Sequence, residues 1–178
     1  SIANENQKKA SVVIFSMMSN IEMQDQISHV SKALSNLKII TRHGNPSIPE
    51  ELSIVNPRKA KSILIIKDFT DTDAKPVART LALKAALGEI SVPVVVEVNE
   101  ESTAEKLSML DSNNLVCFSS KTLISNIAAQ SCRGKGVLPV VLDFLDYDGS
   151  EIYCQEYPEL SGKTYLEAMF SFDSAALI

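Results

Sequence analysis

The sequence predicts an α/β protein built on a doubly wound, mostly parallel sheet over residues 1–136, followed by the start of a small α+β lobe over 137–178. Three observations predict it. Short β-branched runs alternate with helical stripes from Ser11 to Cys132, the rhythm of parallel β-α units. The run Ser62-Ile63-Leu64-Ile65-Ile66 is apolar on both faces, as in a sheet covered on both sides. The rhythm then breaks at Arg133-Gly134-Lys135-Gly136.

Taken in order, Ser11-Val12-Val13-Ile14-Phe15-Ser16 is a strand bounded by polar residues. From Glu22, the apolar residues Met23, Ile27, Val30, Leu34 and Leu37 step by four, three, four and three and draw one stripe on a helix. Leu37 to Thr41 is a second strand, ended by the Gly44-Asn45-Pro46 turn. A brief helix carrying Ile48, Leu52 and Val55 stops at Asn56-Pro57. After the strand Ser62–Ile66, Asp71, Thr72 and Asp73 offer helix caps, Pro76 suits a first turn, and Val77 to Leu87 runs helical until Gly88. Pro93 to Val98 is a strand, Ser102 to Leu110 a helix, Leu115 to Phe118 a strand, and Lys121 to Cys132 a helix. Beyond the break, Leu138 to Leu145 is predicted as a strand after Pro139, with a turn at Asp146-Tyr147-Asp148-Gly149, a strand near Ile152-Tyr153-Cys154 and a helix near Thr164 to Phe170.

Composition bounds the function. With 178 residues the chain can bury a sizeable core. Its longest apolar stretches fall far short of the roughly 20 residues of a membrane span, and its start shows neither a basic stretch nor an apolar core, so no signal peptide is expected. A net charge of −5, with Lys and Arg scattered, argues against nucleic acid as a partner. Cys117, Cys132 and Cys154 form neither a disulfide framework nor a zinc pattern; they are expected as buried or half-buried thiols in reduced surroundings.

Candidate chemistry is sparse. The G-x-G-x-x-G phosphate loop of a dinucleotide fold is absent, since Gly44 stands alone and Gly134-Lys135-Gly136 has the wrong spacing. Hard cations need several converging oxygens. Asp68, Asp71 and Asp73 follow a strand end, and Asp143, Asp146, Asp148 and Glu151 surround a turn; both clusters are candidate cation sites, weighed against capping by Asp71 or Asp73 and turn formation by Asp148-Gly149. In the stretch Arg42-His43-Gly44-Asn45-Pro46, His43 lacks the nucleophile or metal partner that catalysis requires. Arg42 is a cation facing a crevice, or the partner of Glu50 or Glu51. Arg42, His43 and Gly44 are the candidate ligand-binding loop, because ligands of open α/β sheets bind at the carboxyl ends of strands.

Several phrases carry a resemblance. "SVVIFSMMS", "KIITRHGNPSIPEELSIVNPRKAKSILIIKD", "DAKPVARTLALKAAL", "VPVVVEVNEES" and "LISNIAAQSCRGKGVLPVVLDFLDYDGSEIYCQEYPELSGKTYLEAM" resemble the regulatory region of the CASTOR/POLLUX ion-channel family. The most specific pieces are Arg42 to Pro46, where the family shows R-x-G-x-P, and Glu156 to Gly162, which looks like the start of the smaller C-terminal subdomain. The resemblance implies a Rossmann-like RCK (TrkA-N-like) lobe that lacks its first strand and helix, the segment "SIANENQKKA" looking like the tail of that helix. In the order 3-2-1-4-5-6 the first strand is central, so the sheet must rearrange, borrow a strand or close the gap.

The resemblance further implies that the helix 121–132 is a crossover helix through which subunits dimerise, with Ile124, Ile127 and Ala128 at the interface. It implies a gating module of a cation channel on the cytoplasmic side of a membrane (the cell membrane in bacteria, the nuclear envelope in a plant). The partners are then further copies of the chain and the transmembrane pore of the same channel, with Ca2+ or another cation as ligand. The metal candidates are Asp68, Asp71, Asp73, Asp146 and Asp148. Two rivals differ in class: a nucleotide-dependent α/β enzyme, and a structural ring-forming scaffold that binds no small molecule.

Overall fold

The computed structural model describes residues 11–30, 38–68, 72–111, 113–146 and 156–172, without the side chains of His29 and Val30. The chain divides into two compact units, Ser1–Ala128 and Ala129–Ile178.

Among the described residues of the first unit five strands all pair parallel, in two sheets. Strands β1 (Ser11–Ser16) and β2 (Lys38–His43) pair from Ser11 opposite Lys38 to Ser16 opposite His43. Helix α1 (Asn20–Val30) joins them. Ser19 and Glu22 cap it reciprocally, the Glu22 N–H donating to Ser19 Oγ and the Ser19 N–H to Glu22 Oε2. On its stripe Met23 is buried and Ile27 half-buried, while residues 31–37 lie outside the described residues. The second sheet has the order β3 (Ile63–Ile65), β4 (Val94–Val98), β5 (Leu115–Ser119). Helices α2 (Ala74–Leu87) and α3 (Glu101–Ser108) connect its strands, and α4 (Ser120–Arg133) follows β5.

The core lies between the second sheet and α2 and α3. Val94, Val96 and Val98 are 0 % exposed and pack with Ile65, Leu83, Leu87, Ala104, Leu107 and Leu115. Each such valine stabilises the fold by about 2 kcal/mol. Polar side chains tie the layer together: Lys84 Nζ donates to the Leu110 carbonyl, Asn114 Nδ2 to the Ile90 carbonyl at 2.7 Å, and Arg58 to Ala86 at the carboxyl end of α2.

Three expectations are corrected. Among the described residues nothing covers the second face of this sheet: Leu64, Val95 and Val116 stand in register on the face away from the core, and Leu64 and Val116 are 59 % and 60 % exposed. Strand residues alternate between faces, so an apolar run shows what a face prefers and not what lies against it. The brief helix after β2 is two short 3-10 helices, Glu51–Val55 and Pro57–Lys59, separated by Asn56 in the left-handed region at φ 47°.

The third correction concerns Leu138 to Leu145, which is helical. Helix α5 spans Val137–Leu145, entered from Gly136 at φ 94°. Its first-turn amides lack intrahelical acceptors, so Pro139, third in the helix, costs no bond of the ladder. A short run that is apolar but for Asp143 does not by its periodicity separate strand from helix. Later in the second unit comes α6 (Tyr165–Met169), closed by a Thr164–Glu167 capping box. The strand expected near Ile152–Cys154 lies outside the described residues.

Candidate functional site

The loop after β2 is built from the end of β1 outward. Ser16 ends β1 opposite His43, and its carbonyl accepts the Gly44 N–H at 2.9 Å. His43 Nδ1 lies 3.0 Å from the Met18 carbonyl, which holds the ring across the loop after β1. Gly44 is buried; a Cβ there would stand 2.5 and 2.6 Å from the Phe15 ring and 3.0 Å from Glu51 Oε2. The chain therefore has glycine at this point because an aromatic ring lies against its backbone. The Asn45 N–H donates to Glu51 Oε2 at 2.6 Å, and the Ser47 N–H to Asn45 Oδ1 at 3.0 Å.

These bonds leave Arg42 and His43 exposed at the carboxyl end of β2. Arg42 folds back to donate from Nη1 to the Thr41 carbonyl at 2.9 Å, in place of the ion pair with Glu50 or Glu51. An open groove of about 440 Å³ runs between α1 and β2, lined by Gln24, Ile27, Ser28, Ile39, Ile40, Thr41 and Arg42. Arg42 is thus the member of the predicted trio that reaches the groove. His43 and Gly44 shape the loop beside it.

Asp73 does work that the sequence reading did not foresee. It precedes α2 without capping it. Its Oδ1 instead accepts the Asn99 N–H at 2.7 Å and its Oδ2 the Glu100 N–H at 3.0 Å, at the start of α3. Partial burial raises the Asp73 pKa, but the bonds from Asn99, Glu100 and Thr103 outweigh it and hold the carboxyl below the ordinary aspartate value. Ser119, buried at the end of β5, donates to the Asn99 carbonyl at 2.6 Å and accepts the Thr122 N–H. The carboxyl ends of β4 and β5 are joined there. A polar residue directly after each strand's apolar run was the available signal.

Of the other metal candidates, Asp71 and Asp148 lie outside the described residues, as does Glu151. Among the described residues no group of three or more His, Cys, Asp or Glu is placed to hold a metal ion. Cys117 is half-buried, and burial pushes its thiol up, with an opposing bond from Ser108. Cys132 is exposed on α4, contrary to the buried or half-buried expectation, and Cys154 lies outside the described residues.

Helix α4 buries none of its residues. Ile124 is 66 % exposed, Leu123 and Ala128 are exposed, and Ile127 is half-buried. Among the described residues no helix is long and apolar enough to cross a membrane.

Comparison with known proteins gives this geometry a context. Residues 121–178 match the family described as "Castor and Pollux, part of voltage-gated ion channel". The chain is 23 % identical over 98 % of its length to the probable ion channel CASTOR of Oryza sativa subsp. japonica, of which it covers 20 %. It is 21 % identical over 98 % of its length to the ion channel CASTOR of Lotus japonicus, covering 21 %, and 23 % identical over 98 % to the rice probable ion channel POLLUX, covering 18 %. The chain thus spans about a fifth of the length of these curated relatives. Along nearly its whole length this α/β chain is similar in sequence to ion channels named CASTOR and POLLUX, and over residues 121–178 it matches the Castor and Pollux family.

Proposed function

We propose that this chain is a regulatory, non-enzymatic domain of a CASTOR/POLLUX-like cation channel that works by associating with further copies of itself and transmitting ligand binding to a pore. The observation that carries the reading is α4: a fourteen-residue helix in a chain related to ion channels, with none of its residues buried and Leu123 and Ile124 exposed. Such a face is stable in water when another surface covers it. A second copy would cover Ile124, Ile127 and Ala128, with residues 1–136 forming an RCK-type lobe and 137–178 the start of its C-terminal partner.

The ligand in this reading is a cation, Ca2+ first, held at Asp68, Asp71 and Asp73 or at Asp146 and Asp148, with Arg42, His43 and Gly44 forming the cleft loop. Gating requires that the ligand bind one arrangement of subunits better than another. The domain would lie on the cytoplasmic side of its membrane.

Solution mass and thermal stability of the chain, measured with and without Ca2+ and with Mg2+ as control, test the reading. A dimer or larger assembly that Ile124→Glu dissociates, with a Ca2+-specific rise in Tm, is the expected result. A monomer at every concentration would overturn self-association. A stable assembly indifferent to Ca2+, Mg2+ and nucleotide would favour the structural scaffold.

A further inference from the structure

We infer that the Asp73 carboxylate positions helix α4 through a polarised chain of hydrogen bonds that passes across the Asn99–Glu100 peptide and the Ser119 hydroxyl. Three observations on the first unit converge on this device.

The first is what holds α4. None of its residues is buried, so buried side chains do not fix where it points. Polar contacts fix its start instead. Ser119 is 2 % exposed at the end of β5, and its Oγ accepts the Thr122 N–H at 3.2 Å. First-turn amides have no acceptor within their own helix, so this bond ties the first turn of α4 to the sheet.

The second is direction. The same hydroxyl donates its proton to the Asn99 carbonyl at 2.6 Å. That carbonyl shares a peptide unit with the Glu100 N–H, which donates to Asp73 Oδ2 at 3.0 Å. The links therefore all run one way, from Thr122 to Ser119, from Ser119 to Asn99, and from Glu100 to Asp73. Amide resonance carries polarisation across the planar peptide. The charge on Asp73 draws on the Glu100 N–H, which makes the Asn99 carbonyl a better acceptor and, in turn, the Ser119 oxygen a better acceptor for Thr122.

The third is the setting. The middle of the chain is enclosed: Val98, just before Asn99, is 0 % exposed, and Ser119 is buried. Water there does not compete for the links, and the low local dielectric strengthens them. Asp73 is itself held in place by the Asn99 N–H at 2.7 Å and by the Thr103 side chain. Loss of the charge at Asp73 therefore loosens the first turn of α4 without touching it. In the proposed function α4 is the self-associating helix, so its pose then depends on that charge. This consequence rests on that reading of α4, while the hydrogen-bond chain does not.

The test is residue-resolved amide exchange by NMR on the unsubstituted chain and on Asp73→Asn and Ser119→Ala. Each variant is read at the end it does not alter: Asp73→Asn at the Thr122 amide and Ser119→Ala at the Glu100 amide. Rates are taken relative to the strand Val94–Val98, so that a loss of global stability, which raises all rates alike, divides out. Both relative rates are expected to rise at least about twofold, the lower end of coupling within one hydrogen-bonded network. They should rise by the same factor, because coupling between two sites is reciprocal. An unchanged relative rate at either far end would overturn the inference, and if one variant fails to fold the other decides it. Solution mass on the same samples separates the two readings. A monomer that shows the rises overturns self-association and leaves the hydrogen-bond chain standing, and a dimer without them does the reverse.

Discussion

Replacing Gly44 by alanine probes the contact that shapes the loop after β2. The added Cβ would lie 2.5 and 2.6 Å from Phe15 ring carbons, about 1 Å inside ordinary van der Waals contact, and 3.0 Å from Glu51 Oε2. Gly44 is not among the residues of positive φ, so the cost is steric and not conformational. The ring has little room to retreat, because Phe15 is half-buried and packed on the core cluster. Overpacking of this kind costs about 1–3 kcal/mol. Loss of glycine's freedom in the unfolded chain returns about 0.4–1 kcal/mol, leaving a net destabilisation of up to about 2.6 kcal/mol, with a midpoint of about 1.3 kcal/mol. At about 2–4 °C per kcal/mol for a chain of this size, Tm should fall by several degrees. Thermal unfolding followed by circular dichroism measures it, within a double-mutant cycle. In a Phe15→Ala background the same substitution should be neutral or stabilising, because its steric partner is gone. Equal destabilisation in both backgrounds would refute the reasoning and place the strain elsewhere in the loop.

Other predictions follow from the same geometry. Asp73→Ala should cost about 1–2 kcal/mol by stripping acceptors from the Asn99 and Glu100 amides at the start of α3; urea unfolding with fluorescence or circular dichroism reads it. Because the folded-state pKa of Asp73 is lowered, its contribution is complete above the unfolded value of about 4 and is lost as the pH falls through the lower folded value. Asp73→Asn should therefore flatten the decline in stability below pH 4, and an unchanged acid limb would count against the clasp. Val96→Ala, at a fully buried position, should destabilise by about 2–3 kcal/mol, whereas Val116→Ala on the open face should cost well under 1 kcal/mol in the isolated chain. Iodoacetamide should modify Cys132 on exposed α4 before half-buried Cys117, whose thiol is pushed up; mass spectrometry of a time course at pH 7.5 gives the order.

The sequence was most legible where short-range rules decide. The strand Ser11–Ser16 appears at its predicted bounds, and Val94–Val98 and Leu115–Ser119 within a residue, because β-branched runs flanked by polar residues favour no other element. Helix α2 begins at Ala74, earlier than Val77, because Pro76 is accepted in a first turn, and it ends at Gly88 as predicted. The exposed position of Arg42 and His43 at the end of β2 was likewise readable, since it depends on where a strand stops.

Tertiary structure alone decided the rest. Val137–Leu145 is apolar but for Asp143, too uniform for its period to separate strand from helix, and Gly136 in the left-handed region leads the chain into it. Asp73 was legible as a cap but not as the cap of another helix, because its acceptors meet Asn99 and Glu100 only once β3 and β4 lie side by side. Gly44 was legible as a turn residue, while the aromatic ring against it comes from a strand paired across the sheet. Above all, the run Ser62–Ile66 determined that both faces of β3 are apolar, and the fold determined that one of them, at Leu64, stands open. Hydrophobicity is a property of the side chain, and burial is a property of what the rest of the protein brings against it.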